Sequence, residues 1–226
     1  SFSFINGQCL EGIHISLEKR KPILSVGSNR SPFQLSNKFS LKENLCVTPA
    51  TLYGSDVVFS SSISAYGSVP ATQWPFEGAK VKLNVLWLND KQLTTMHLSE
   101  GIGIAYNFVE LNDGSVSINN MNYNGPIYGY ISVNGVYNFD KKSPARLSDL
   151  KSLNGVIESK SEFQAINYIK NKFQPYEMGI KDWIRKLISD KNYRIELIKK
   201  MSKTSIIPKK PPWKIIEVRI NGNNIY

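Results

Sequence analysis

Pro22-Ile23-Leu24-Ser25-Val26-Gly27-Ser28-Asn29-Arg30-Ser31-Pro32-Phe33-Gln34 reads as strand, loop and helix start in direct succession. Pro22 to Val26 is a short apolar run with β-branched members that stops at a glycine, the pattern of a buried strand entering a turn. Ser31-Pro32-Phe33-Gln34 has the residues of a capping box: Ser at the N-cap, Pro at the first helical position, Gln three residues after the cap. Leu35 and Phe39, four apart, give that helix one face to pack. Between strand and helix, Gly27 lets the chain turn sharply and lets a ligand approach the main chain. The N–H groups at the helix start favour a carboxylate or phosphate, and Ser28 and Asn29 add a hydroxyl and an amide.

Further strands and helices follow outward from this unit. Asp56-Val57-Val58-Phe59 is a strand candidate, and from Val81 to Trp87 the odd-numbered positions are apolar, the period of two of a strand with one buried face. Asn89-Asp90 caps a short helix on which Leu93, Met96 and His97 share a face. Glu100 falls where that helix should end, and Gly101 is a natural left-handed terminator. Tyr106–Leu111 and Tyr128–Val133 read as strands, and Asn134-Gly135 is a hairpin signal leading into Val136–Phe139. After Asp140 the pattern turns helical: a stretch opened by Ser143-Pro144, an amphipathic helix through Phe163, Ile166 and Ile169, and a third through Ile180, Trp183, Ile184, Leu187 and Ile188. Pro208 to Pro212 breaks the run, and residues 213–220 form a final strand candidate. The expected fold is therefore mixed α/β (α+β), with a core over residues 1–140 and a mainly helical extension over 141–226.

The net charge of +10 is unevenly placed. Nine Lys and Arg meet ten Asp and Glu in residues 1–140, whereas nineteen meet eight in residues 141–226, so the basicity belongs to the extension. Lys199-Lys200, Lys203 and Lys209-Lys210 can meet phosphates or an acidic protein. Without a nucleic-acid motif or interleaved exposed aromatics, however, solvated helix faces are the preferred reading. The Ile180–Ile188 stripe is expected to dock on the front part. No apolar run reaches the roughly 18 residues of a membrane span, so no membrane partner is expected. Cys9 and Cys46 are too few for a disulfide framework or a zinc site; a single bridge is open to them, and free thiols of a cytoplasmic protein are the preferred reading.

Glu100 is the candidate for proton transfer. It meets the negative end of its helix dipole, an environment suited to a general acid or base. His97, three residues earlier, sits on a packed helix face and is expected to be structural. With only two histidines and no nucleophile elbow beside any serine, a Ser–His–Asp site is set aside. Gly101-Ile102-Gly103 lacks the context of a dinucleotide loop. The serine-rich Ser60-Ser61-Ser62 connection, with Ser64 and Tyr66, is read as a linker slightly ahead of a pocket lining.

Taken in order, the strand–Gly27-Ser28-Asn29–helix unit, Gly67-Ser68-Val69-Pro70-Ala71-Thr72, Gly78, the Val81–Trp87 strand, Leu93, and Glu100-Gly101 followed by Tyr106 resemble the γ-glutamylcyclotransferase-like family. The resemblance spans roughly Pro22 to Leu111. It implies a mixed β-sheet or small barrel with flanking helices and no metal or cofactor. It also implies Gly27, Ser28 and Asn29 as the grip on the α-carboxylate and α-amine of a γ-glutamyl group, Glu100 as the acid/base, and Tyr106 as pocket wall or hydrogen-bonding partner. The reaction implied is cyclisation to 5-oxoproline. Val26 stands where the family usually has Tyr.

Overall fold

A computed structural model of the chain describes residues 1–40, 43–139, 143–156, 158–174, 178–220 and 223–224. Strands β1 (Phe2–Ile5) and β2 (Gln8–Glu11) form an N-terminal hairpin, and β3 (Lys21–Ser25) leads into helix α1 (Pro32–Lys38). Two long antiparallel strands, β4 (Leu45–Phe59) and β5 (Ala71–Leu88), make the backbone of the sheet, with a register shift between Tyr53 and Ser55. Helix α2 (Asp90–Glu100) follows, then β6 (Tyr106–Leu111), β7 (Val116–Ile118) and β8 (Tyr128–Ser132). The last third holds β9 (Arg146–Leu147), β10 (Ser152–Leu153), β11 (Ser159–Lys160), helices α3 (Glu162–Phe173), α4 (Ile180–Ser189) and α5 (Lys191–Ser202), and the short strands β12 (Trp213–Ile215), β13 (Arg219–Ile220) and β14 (Asn223–Asn224).

The main sheet runs β11-β9-β4-β5-β3-β8-β6-β12. It is mixed: β3 pairs parallel with β8 and β11 with β9, while the other pairings are antiparallel. The fold is thus the expected mixed α+β class, and β9, β10, β11 and β12, all from the basic last third, hydrogen-bond into the same sheet as the front part.

Alternation along β3 explains the two cores. Ile23 faces the side covered by α1 and α2, packing with Leu35, Phe39, Leu86, Leu93 and Met96. Leu24 faces the opposite side with Val57, Val81, Val85, Trp87 and Val109. A strand covered on both faces reads as a continuous apolar run, which is why Pro22–Val26 carries no polar alternation. A third core lies under the C-terminal helices, where Phe59, Ile63 and Val69 from the front part meet Ala165, Ile169, Trp183 and Leu187. The Ile180–Ile188 stripe therefore docks as expected. Its Ile184 side chain lies so close to Gly67 that an added Cβ would meet it at 3.0 Å. The Glu162 carboxylate accepts from Val69 N–H at 2.7 Å, fastening α3 to the same loop.

Several local expectations need correction. Ser31 sits at the N-cap of α1 with Pro32 next, but its side chain makes no capping bond. The capping box forms instead at Asn89–Gln92 and again at Ser161–Gln164. The Asn134-Gly135 turn is real, with φ +70 at Gly135, but Val136 pairs with Ser60 and Ile206 instead of returning along β8. The stretch after Ser143-Pro144 forms short strands, not a helix, because its backbone pairs with β4 and β5. The final strand candidate divides into β12, which pairs antiparallel with β6, and β13, which pairs with β14.

Candidate functional site

The C-terminal end of β3 and the C-terminal end of α2 meet at one place. Gly101 ends α2 in the left-handed conformation, with φ +58, and its N–H is bound by the His97 and Leu98 carbonyls. This leaves Glu100 at the helix terminus, 13% exposed through its side chain. After Ser25 the chain leaves the sheet in a 3-10 turn, Ser28–Arg30, which aims Asn29 at the end of α2. Asn29 Nδ2 donates to Glu100 Oε1 at 2.9 Å across 71 residues of sequence. Because a carboxylate accepts only from the NH2 side of the amide, the amide orientation is set by that bond. Asn29 Oδ1 is left buried and without a partner among the described residues.

Sequence reasoning missed the third member. Lys38, in the last turn of α1, places Nζ 2.5 Å from the same Glu100 Oε1. Its side chain is only 19% exposed, and among the described residues its other contact is the Met96 sulfur at 3.9 Å. The only sequence signal was a cation near a helix C-terminus, which ordinarily means a solvated cap. Lys38 thus joins Asn29 on the carboxylate that was expected to face a substrate. Two cavities, of about 240 and 10 Å³, lie elsewhere: one at the Leu111–Val116 end of β6, the other between Phe4, Leu35 and Phe39.

The remaining expected residues are placed less simply. Tyr106 lies close enough to Glu100 that the carboxylate's charge, after burial, helps push its phenol well above the usual range. Its hydroxyl is committed, donating to the Ala71 carbonyl at 3.2 Å. Ser28 is exposed on the turn, its carbonyl accepting from Ser31 N–H at 2.9 Å. Gly27 has φ −123, and a Cβ there would touch only the Ala71 methyl, at 3.8 Å. Neither a left-handed φ nor packing among the described residues demands glycine. The expected anion site at the helix start is weakened, since the 3-10 turn intervenes and α1 has only seven residues. Ser60 and Ser61 are wholly buried in the β4–β5 connection.

His97 is buried beneath the site. One ring nitrogen, Nδ1, shares a 2.9 Å hydrogen bond with the Tyr130 hydroxyl, and the ring packs edge-on to Phe108 at 4.7 Å. Burial, then the Lys21 charge, lowers its pKa from 6.5 to about 4, so it is a neutral packing residue at physiological pH. Tyr130 is held neutral by burial and by the Glu100 charge. Cys9 is exposed and Cys46 buried, both as free thiols. Among the described residues no group of three His, Cys, Asp or Glu side chains could hold a metal, and no helix is long and apolar enough to cross a membrane.

These features define an α+β protein with a carboxylate, an amide and an ammonium converging where a sheet strand meets a helix end. No family model matches the chain, and no curated protein matches it. Solved structures similar to it include one titled γ-glutamyl cyclotransferase, at 16% identity and TM-score 0.43, covering 80% of this chain and 99% of the other. An uncharacterised protein from Homo sapiens is similar at 16% identity and TM-score 0.44, over 80% of this chain and 99% of its own. A third, from Arabidopsis thaliana, has 18% identity and TM-score 0.41 over 56% of this chain and 84% of its own. At these values the likeness decides nothing about activity.

Proposed function

We propose that this protein is a γ-glutamylcyclotransferase-like enzyme that closes a γ-glutamyl amine or peptide to 5-oxoproline, with Glu100 as the acid/base. The observation that supports the reading is the 2.9 Å bond from Asn29 to Glu100. It brings the loop that would hold the glutamyl head group within reach of the group that would move its proton. The substrate's α-ammonium gives a proton to Glu100, and the freed amine attacks the γ-carbonyl. The new C–N bond closes the ring as the C–N bond to the leaving amine breaks. Glu100 gives its proton to the leaving nitrogen, then takes the second proton from the ring nitrogen to leave the neutral lactam and passes it to the departing amine. Folding the glutamyl arm supplies the proximity contribution. The unpartnered Asn29 Oδ1 is a ready acceptor for the ammonium.

A second reading, a binding module that holds the same head group without turnover, is favoured by Val26. This residue stands in place of a tyrosine and is buried at 9% exposure in the apolar core beside Leu24 and Ala71. Release of 5-oxoproline from a panel of γ-glutamyl compounds separates the two. The enzyme reading expects wild type to release it and Glu100→Gln to lose about a hundredfold to ten-thousandfold. Full activity in Glu100→Gln removes Glu100 from the chemistry. Saturable binding without release establishes the binding module.

A further inference from the structure

We propose that Lys38 is the specificity-determining cation of this site: it leaves Glu100 for the substrate's α-carboxylate when the substrate's α-ammonium takes its place. The inference rests on the cyclotransferase reading above and names a residue that reading did not use.

In the resting protein, Glu100 Oε1 already accepts from two donors, Lys38 Nζ at 2.5 Å and Asn29 Nδ2 at 2.9 Å. A substrate ammonium brought to this oxygen would lie beside a like charge in a half-buried place, where repulsion is poorly screened. Lys38 must therefore move aside. Among the described residues its other contact is the Met96 sulfur, a weak acceptor that cannot neutralise an ammonium. A simple amine would thus strand Lys38 without a counter-charge, and a simple carboxylate would draw Lys38 away and strand Glu100.

An α-amino-acid head group carries both charges on one carbon, so it replaces one ion pair by two. Its ammonium goes to Glu100, with Asn29 Oδ1 as a second acceptor that is buried and unpartnered in the resting chain. Its carboxylate goes to Lys38. The loop offers little competition for that carboxylate, because α1 is short and the Ser31 N–H is already bound to the Ser28 carbonyl.

The test compares two ring closures in which the reacting atoms are the same. A γ-glutamyl amide closes to 5-oxoproline, and the matching γ-aminobutyryl amide, which lacks only the α-carboxylate, closes to pyrrolidinone. The readout is the ratio of their kcat/KM values in wild type, Lys38→Met and Lys38→Arg. Wild type should prefer the γ-glutamyl amide. Lys38→Met should lower that ratio about tenfold to hundredfold, the worth of one charge-assisted hydrogen bond. Lys38→Arg should keep it within about threefold of wild type. The ratio is internal to each preparation, so a partly folded variant lowers both rates and leaves it intact. If Lys38→Met retains the wild-type ratio, or if wild type shows no preference, the assignment of Lys38 is overturned while the cyclotransferase reading stands. If wild type closes neither ring, that reading falls and this one with it.

Discussion

Acidification should weaken the protein through His97 before the bulk of its carboxylates titrate. The ring is 6% exposed, bound to Tyr130 and packed on Phe108. In the unfolded chain it protonates near 6.5, and in the folded chain only at about 4. Above pH 6.5 both states hold the neutral ring and stability is full. As the pH falls from 6.5 toward 4, the unfolded state binds a proton that the folded state refuses, so stability drops; below about 4 the contribution levels off. The bound from linkage is about 2 kcal/mol lost by pH 5, and partial hydration of the ring lowers it to roughly 1–2 kcal/mol. Urea unfolding of wild type and His97→Gln at pH 7 and pH 5 isolates this contribution, since other groups titrate alike in both proteins. Wild type should lose more stability than the variant by that amount. The protein has only two histidines, so proton NMR can follow both rings directly. Parallel stability profiles, or a His97 ring that titrates near 6.5, would refute the reasoning.

Three structural perturbations follow from other contacts. Gly155→Ala would put a Cβ 2.0 Å from Asp56 Oδ2 and 2.3 Å from Ser152 Oγ, forcing the buried carboxylate off the Val156 N–H that it accepts at 2.8 Å. A loss of about 2 kcal/mol or more is expected in urea unfolding, and a change under about 0.5 kcal/mol would contradict it. Asn89→Ala removes one half of the α2 capping box and should cost about 1 kcal/mol. Since α2 carries Glu100, it should also lower kcat on any substrate found. Trp183→Ala opens a cavity where α4 meets Phe59 and Val69 and breaks the indole bond to the Tyr193 hydroxyl. It should cost about 3–5 kcal/mol in the same single transition as the front part; a separate early transition for the C-terminal helices would show that the docking is weaker than the packing indicates.

Much of the fold was legible because its signals are local. The β3–α1 unit, the β5 alternation, and the cap and terminator of α2 depend on residues a few positions apart, and the structure has each of them. Where the local signal misled, a distant partner decided. Val136–Phe139 follows a good hairpin turn, yet its backbone runs to Ser60 and Ile206. Residues 143–160 have a helical opening signal but complete the sheet beside β4 and β5. Strand β4 begins eleven residues before the Asp56 run that announced it, because its first half is paired by β1 and β5 instead of being marked by a period of its own.

The site divides the same way. The sequence by itself determined that Asn29 would stand just beyond a buried strand and Glu100 at a helix end, since strand period, loop glycine and helix terminator are written within a few residues of each. Only the tertiary structure decided what Glu100 touches. The crossing of α1 and α2 sets Lys38 on the same carboxylate oxygen as Asn29, at 2.5 and 2.9 Å. That pairing joins residues 62 and 71 positions apart in the chain. It depends on how two helices pack over one sheet face, and no local pattern encodes that distance.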